Sequence, residues 1–187
     1  MENFLEEGAS APKTNSNYFK LIEGTIKFRI VSPAKYGYEY WTEENKPVRL
    51  HEKSEKKPED VRVEANGSWT QKHFWAFKVI DREDGVVKVF EITQKSVKEE
   101  IEALNENTEW GNPSEYDISI TGTGKGLDRR YTVQPSPRKP LTKEEESLVA
   151  RTEIDLDALF TGDNPFNEKS EISDSELEKI PFQYITT

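Results

Sequence analysis

The sequence predicts a mainly β fold: a five-stranded barrel with one helix between its third and fourth strands, an enlarged first loop, and an acidic tail, disordered or partly helical. Three observations predict it. Short alternations of apolar and polar residues recur between residues 25 and 133, separated by turn residues. A single amphipathic helical pattern interrupts them. The excess negative charge is confined to the C-terminal end.

The first strand spans residues 25–31, with Ile26, Phe28 and Ile30 on one face and Lys27 and Arg29 on the other. Residues 32–70 are polar and broken by Pro33, Pro47, Pro58 and Asn66-Gly67, which makes them the enlarged loop. Residues 73–80 and 86–92 are two strands joined by the turn-rich Asp81-Arg82-Glu83-Asp84-Gly85. The helix covers residues 96–107, because Val97, Ile101 and Leu104 fall on one face; Ser96 and Glu99 have the spacing of a capping box. Residues 116–121 alternate again, a glycine-rich loop holds Gly122, Gly124 and Gly126, and residues 129–133 complete the last strand. This is the element order of an OB-fold, a Greek-key barrel that binds oligonucleotides through one strand face and the loops after strands one and four.

Charge sharpens the division of the chain. The 187 residues hold 26 Lys+Arg and 36 Asp+Glu, for a net charge of -10. Residues 1–143 are nearly balanced, whereas residues 144–187 carry only Arg151, Lys169 and Lys179 as cations among many carboxylates. Three segments follow: a loose polar arm over 1–16, an ordered body over 17–139 ending in a proline-rich connector, and an acidic tail over 140–187. No apolar run is long enough to cross a membrane, and no leader pattern is present, so a cytoplasmic location is expected. With no Cys, disulfides and thiolate metal sites are excluded, the two His cannot make a zinc centre alone, and no cofactor is expected.

The binding candidates are aromatic and basic. In an extended segment Tyr36, Tyr38 and Tyr40 share a face, with Trp41 opposite, about 6.6 Å apart at the rise of a strand. That spacing suits successive bases of a stretched single strand, each base-on-aromatic contact contributing roughly 1–3 kcal/mol. The same rings also suit a core or a sugar-stacking surface. Lys27, Arg29 and Lys35 are placed to neutralise phosphates. Trp75 and Phe77 share a face of their strand that lines either the groove or the barrel interior. Lys125, Arg129, Arg130 and Tyr131 form a clamp beside the glycine-rich loop. That loop lacks the Gly-Lys-Ser/Thr ending of a nucleotide-binding P-loop and precedes a strand, so nucleotide hydrolysis is rejected. Asp81, Glu83 and Asp84 read as a solvated hairpin tip. No nucleophile, metalloprotease or hydrolase motif is present, and the chain is expected to bind rather than catalyse.

Several short stretches together carry a resemblance. Tyr18-Phe19-Lys20-Leu21, Gly37-Tyr38-Glu39-Tyr40-Trp41, Phe74-Trp75-Ala76, Phe90-Glu91-Ile92, Trp110-Gly111-Asn112-Pro113 and Tyr131-Thr132-Val133 lie across residues 18–141. In these the chain resembles the single-stranded DNA-binding proteins of tailed phages. The resemblance implies an OB-fold that coats single-stranded DNA with little sequence preference during phage replication, recombination and repair, in the host cytoplasm. It also implies that the acidic tail recruits replication or recombination proteins; the tail's negative charge, tethered by a flexible linker, is expected to occupy the basic groove and compete with DNA. Ile180, Pro181 and Phe182 resemble the partner-docking tip of bacterial counterparts, although five residues follow them here, and Leu159, Phe160 and Phe166 are a second set of anchors. The structural zinc of some phage relatives has no ligands in this chain. The alternative is a virion adaptor or carbohydrate-binding β-domain that uses the Tyr/Trp cluster to stack sugars.

Overall fold

Alternation builds the sheet. In the computed structural model, which describes residues 17–166, eight strands form one mixed sheet: β1 (Tyr18–Phe19), β2 (Gly24–Ile30), β3 (Lys35–Trp41), β4 (Pro47–Leu50), β5 (Lys72–Asp81), β6 (Val87–Ile92), β7 (Asp117–Thr123) and β8 (Arg130–Pro135). Among the described residues there are three α-helices: α1 (Lys95–Glu106), α2 (Lys143–Arg151) and α3 (Ala158–Thr161). The strand order is β1-β6-β5-β2-β7-β8, with β3 also on β5 and β4 on β3. No ladder joins β1 to β8, so the sheet is open. No helix among the described residues is long and apolar enough to cross a membrane.

The five expected strands appear as β2, β5, β6, β7 and β8, with α1 between the third and fourth of them. The stretch expected as a loop supplies two further strands: β3 pairs with β5, placing Tyr38 opposite His73, and β4 pairs with β3. β-Branched and aromatic residues such as Tyr36, Tyr40 and Val48 make that pairing possible despite the polar flanks. The capping box expected at Ser96 and Glu99 is absent, because α1 begins one residue earlier with Gln94 as an N-cap that makes no side-chain bond. The capping box instead sits at α2, where Thr142 and Glu145 exchange hydrogen bonds.

One face of the sheet holds the main core. Phe19, Phe28, Phe77 and Phe90 meet edge-on at 5.0–5.5 Å between ring centres. Val97 and Ile101 of α1 cover them. At the β5–β6 turn, the Lys88 ammonium lies 2.7 Å from Asp81 and also pairs with Asp84, so these two carboxylates hold a cation of the chain itself.

The packed body does not stop at residue 139. Leu156 and Leu159 are buried against Phe74, Ala76 and Val89, with Ile154, Phe160 and Phe166 packed around them. Residues 152–166 therefore form a strap across the outer face of β5 and β6, closed on itself by a bridge between Ile154 and Phe166. The arm over 1–16 and the tip Ile180, Pro181 and Phe182 lie outside the described residues.

Candidate nucleic-acid interface

The richest meeting of cations and rings lies where the sheet stays open. A cleft of about 650 Å³ runs between β4, the end of β6 and the start of β8, lined by Tyr18, Lys20, Arg49, Glu91, Arg129 and Tyr131. Arg129 is half-buried, and its Nε is buried without a hydrogen-bond partner. A buried guanidinium nitrogen left unpaired is costly, and an anion in the cleft would satisfy it. Arg49 is held on the opposite wall by a 2.6 Å hydrogen bond to Glu91 and by Glu39 at 3.5 Å, and lies 5.8 Å from the Phe74 ring. Burial raises the pKa of Glu39 against the pull of Arg49. Burial, with help from Glu91, likewise keeps the Tyr18 phenol above its usual range.

Tyr131 owes its place to a glycine. A Cβ on Gly122 would stand 2.4 Å from the Ile22 carbonyl, which demands glycine there, and 3.2 Å from the Tyr131 ring, which the glycine leaves close against β7. Lys125 and Arg130 are exposed on either side of the β7–β8 loop. Of the four residues expected as a clamp, Arg129 and Tyr131 line the cleft with Lys20, Arg49 and Tyr18, whereas Lys125 and Arg130 are not among its lining residues. The sequence signal for Arg49 was weak, since it sits in a stretch expected to be loop.

The other candidates separate. Arg29 is 2% exposed and donates to Asp117 at 2.9 Å, so it is a structural cation and not a phosphate ligand. Lys27 remains half exposed beside the same carboxylate at 3.8 Å. Tyr40 is buried, its hydroxyl hydrogen-bonded to Asp60 at 3.1 Å, which removes it from any stacking row. Tyr36, at 66% exposed, and Tyr38 flank His73, with Trp41 exposed on the opposite face. Trp75 and Phe77 turn toward the core, and Phe77 is only 2% exposed. The outward residues of β5 are Phe74 and Ala76.

The strap covers that outward face. Phe160 stacks on His51 with ring centres 4.0 Å apart and planes within 10°, and touches Phe74 at 5.7 Å. Gly37 leaves the room, since a Cβ there would come within 2.8 Å of the Phe160 ring and 2.4 Å of the Leu50 carbonyl. Asp157 pairs with Lys35 at 2.8 Å. Ahead of the strap, α2 is clasped to the body by Glu145, which accepts from Arg82; burial pushes Glu145 up, but the Thr142 N–H and Arg82 hold it below its usual range. Leu159, Phe160 and Phe166, expected as anchors for a partner, are therefore spent on the chain's own sheet, because Phe74, Ala76 and Val89 offer them an apolar seat. Among the described residues no group of three or more His, Asp or Glu is placed to hold a metal ion. No protein-family model, curated protein or solved structure matches the chain.

Proposed function

We propose that the chain binds single-stranded DNA with little sequence preference, without catalysis, through the cleft of Lys20, Arg49 and Arg129. One observation carries this reading: Lys20, Arg129 and the rings of Tyr18 and Tyr131 converge on one open cleft, where the Arg129 Nε is buried without a partner, while Arg49 on the far wall is already paired with Glu39 and Glu91. Cations along a backbone and rings under bases are the two requirements of sequence-tolerant single-strand binding. The order β6-β5-β2-β7-β8 supports an OB-fold reading, in which the cleft lies between the first and fourth loops of a partly open Greek-key barrel. The role that goes with it is protection of single strands during phage replication, recombination and repair.

The acidic segment has two parts in this proposal. The strap sets a carboxylate on Lys35 and a ring on His51, the contacts that a phosphate and a base would make there. Lys35 and His51 do not line the cleft, so the strap competes with the part of a DNA strand that runs on from the cleft over the outer face of β5. Residues 167–187 recruit replication or recombination proteins, with Phe182 as the anchor. A titration of fluorescently labelled oligo-dT with the full chain, followed by fluorescence anisotropy, tests the reading. Binding is expected at low salt, and affinity falls steeply as salt rises. No binding at low salt overturns it, and salt-insensitive binding to an oligosaccharide instead selects the virion-adaptor reading.

A further inference from the structure

A second surface lies apart from the cleft and shares no lining residue with it. It is a groove of about 870 Å³ between α1, α2 and the segment after β2. Its floor is apolar, built from Ile30, Trp75, Phe77 and Ile101. Its walls bring the exposed Ala34 and Ala150 to the edge. Among the described residues, the charged side chains lining it are Glu102 on α1 and Glu146 on α2, both exposed.

We infer that this groove docks an amphipathic helix of a partner protein whose polar flanks carry lysine or arginine. A trough walled by two helices accepts the apolar stripe of a third, as in helix-in-groove recognition. Carboxylates on both walls, with no cation between them, select positive flanks and repel phosphate. The same charge argues against the chain's own C-terminal residues. Between 167 and 179 these carry Glu168, Glu171, Asp174, Glu176 and Glu178 against only two lysines. The inference does not rest on DNA binding.

The test uses the full chain and two synthetic amphipathic helical peptides of identical pattern, one of Leu and Lys, the other of Leu and Glu. Calorimetry should show the Lys peptide binding at least tenfold tighter than the Glu peptide. Two variants locate the contact: Ala150→Trp, which fills the groove from a helical, exposed position, and the pair Glu102→Lys with Glu146→Lys. Each should weaken the Lys peptide at least fivefold while circular dichroism stays unchanged, and the uncharged Ala150→Trp should also leave oligo-dT affinity unchanged. The charge-reversed pair should also gain affinity for the Glu peptide. Equal Lys-peptide affinity in wild type and both variants overturns the inference, since binding then comes from acidity elsewhere. No binding of the Lys peptide overturns it too. Tighter Lys-peptide binding by Phe182→Ala overturns the choice of occupant, because the chain's own tip would then be filling the groove.

Discussion

Arg29 and Arg129 bring the same guanidinium into opposite settings. Arg29 is buried and paired with Asp117, whereas the Arg129 Nε is buried and unpaired at a cleft. Replacing Arg29 with Ala leaves a cavity and weakens the Asp117 network, at a cost of about 3 kcal/mol. Denaturant unfolding should show that loss, with oligo-dT affinity of the folded variant unchanged. Arg129→Ala should do the reverse: affinity falls about tenfold and the slope of log affinity against log salt shrinks by about 1, with stability nearly intact. His73 gives the pH prediction. Burial, reinforced by the Lys98 ammonium 2.9 Å from its Nδ1, lowers its pKa from the ordinary 6.5. Above 6.5 both folded and unfolded chains hold it neutral, so its contribution is complete. Below that, the unfolded chain takes up a proton that the folded chain resists, and stability falls until the lower folded value is passed. Melting temperatures measured from about pH 8 down to pH 5 should show this decline, and His73→Asn should remove part of it. None of these distinctions was legible in the sequence. Arg29 and Lys27 share a polar face of one strand, and only the partner strand decides that Asp117 stands opposite the former, where it also takes Arg82.

At the scale of elements, alternation was a sound guide. The apolar set Ile26, Phe28 and Ile30 faces or borders the core as its period requires, and α1 buries Val97 and Ile101 on one face. Period, however, does not say which face of a doubly apolar strand is interior. In β5 both Phe74 with Ala76 and Trp75 with Phe77 are hydrophobic, and both sets are covered, one by the core and one by the strap. The strap escaped notice because its acidity argued for solvent, while Leu156 and Leu159 carry the packing. The Thr142–Glu145 spacing was the available signal for α2. Leu159→Ala should cost about 2–4 kcal/mol by leaving a cavity over Phe74 and Ala76, readable by denaturant unfolding. Removing only the contacts that stand in for DNA, with Asp157→Asn and Phe160→Ala together, should tighten oligo-dT binding severalfold. Weaker binding would show that the strap supports the interface and does not compete for it.

For the whole molecule, the net charge of -10 divides into a balanced body and an acidic C-terminal segment, part of which is folded onto that body. Two deletions separate these parts. Ending the chain after Phe166 removes five carboxylates, two lysines and no packed side chain described in the structure, so oligo-dT binding at low salt should tighten with the melting temperature unchanged. Ending it after Lys143 strips Leu156 and Leu159 from Phe74, Ala76 and Val89, and that apolar face should drive self-association visible by light scattering. The sequence by itself determined the local features: five strands, one helix between the third and fourth, a glycine-rich basic loop, and where the acids lie. These depend on period, turn residues and composition, which act over a few neighbouring positions. Tertiary structure alone decided that the tyrosine row pairs with β5 and loses Tyr40 to Asp60. It also brought Arg49 and Lys20 to Arg129 and folded part of an acidic segment across an apolar face. Each of these joins residues tens of positions apart, and burial, ion pairing and register between distant segments leave no mark in the local pattern.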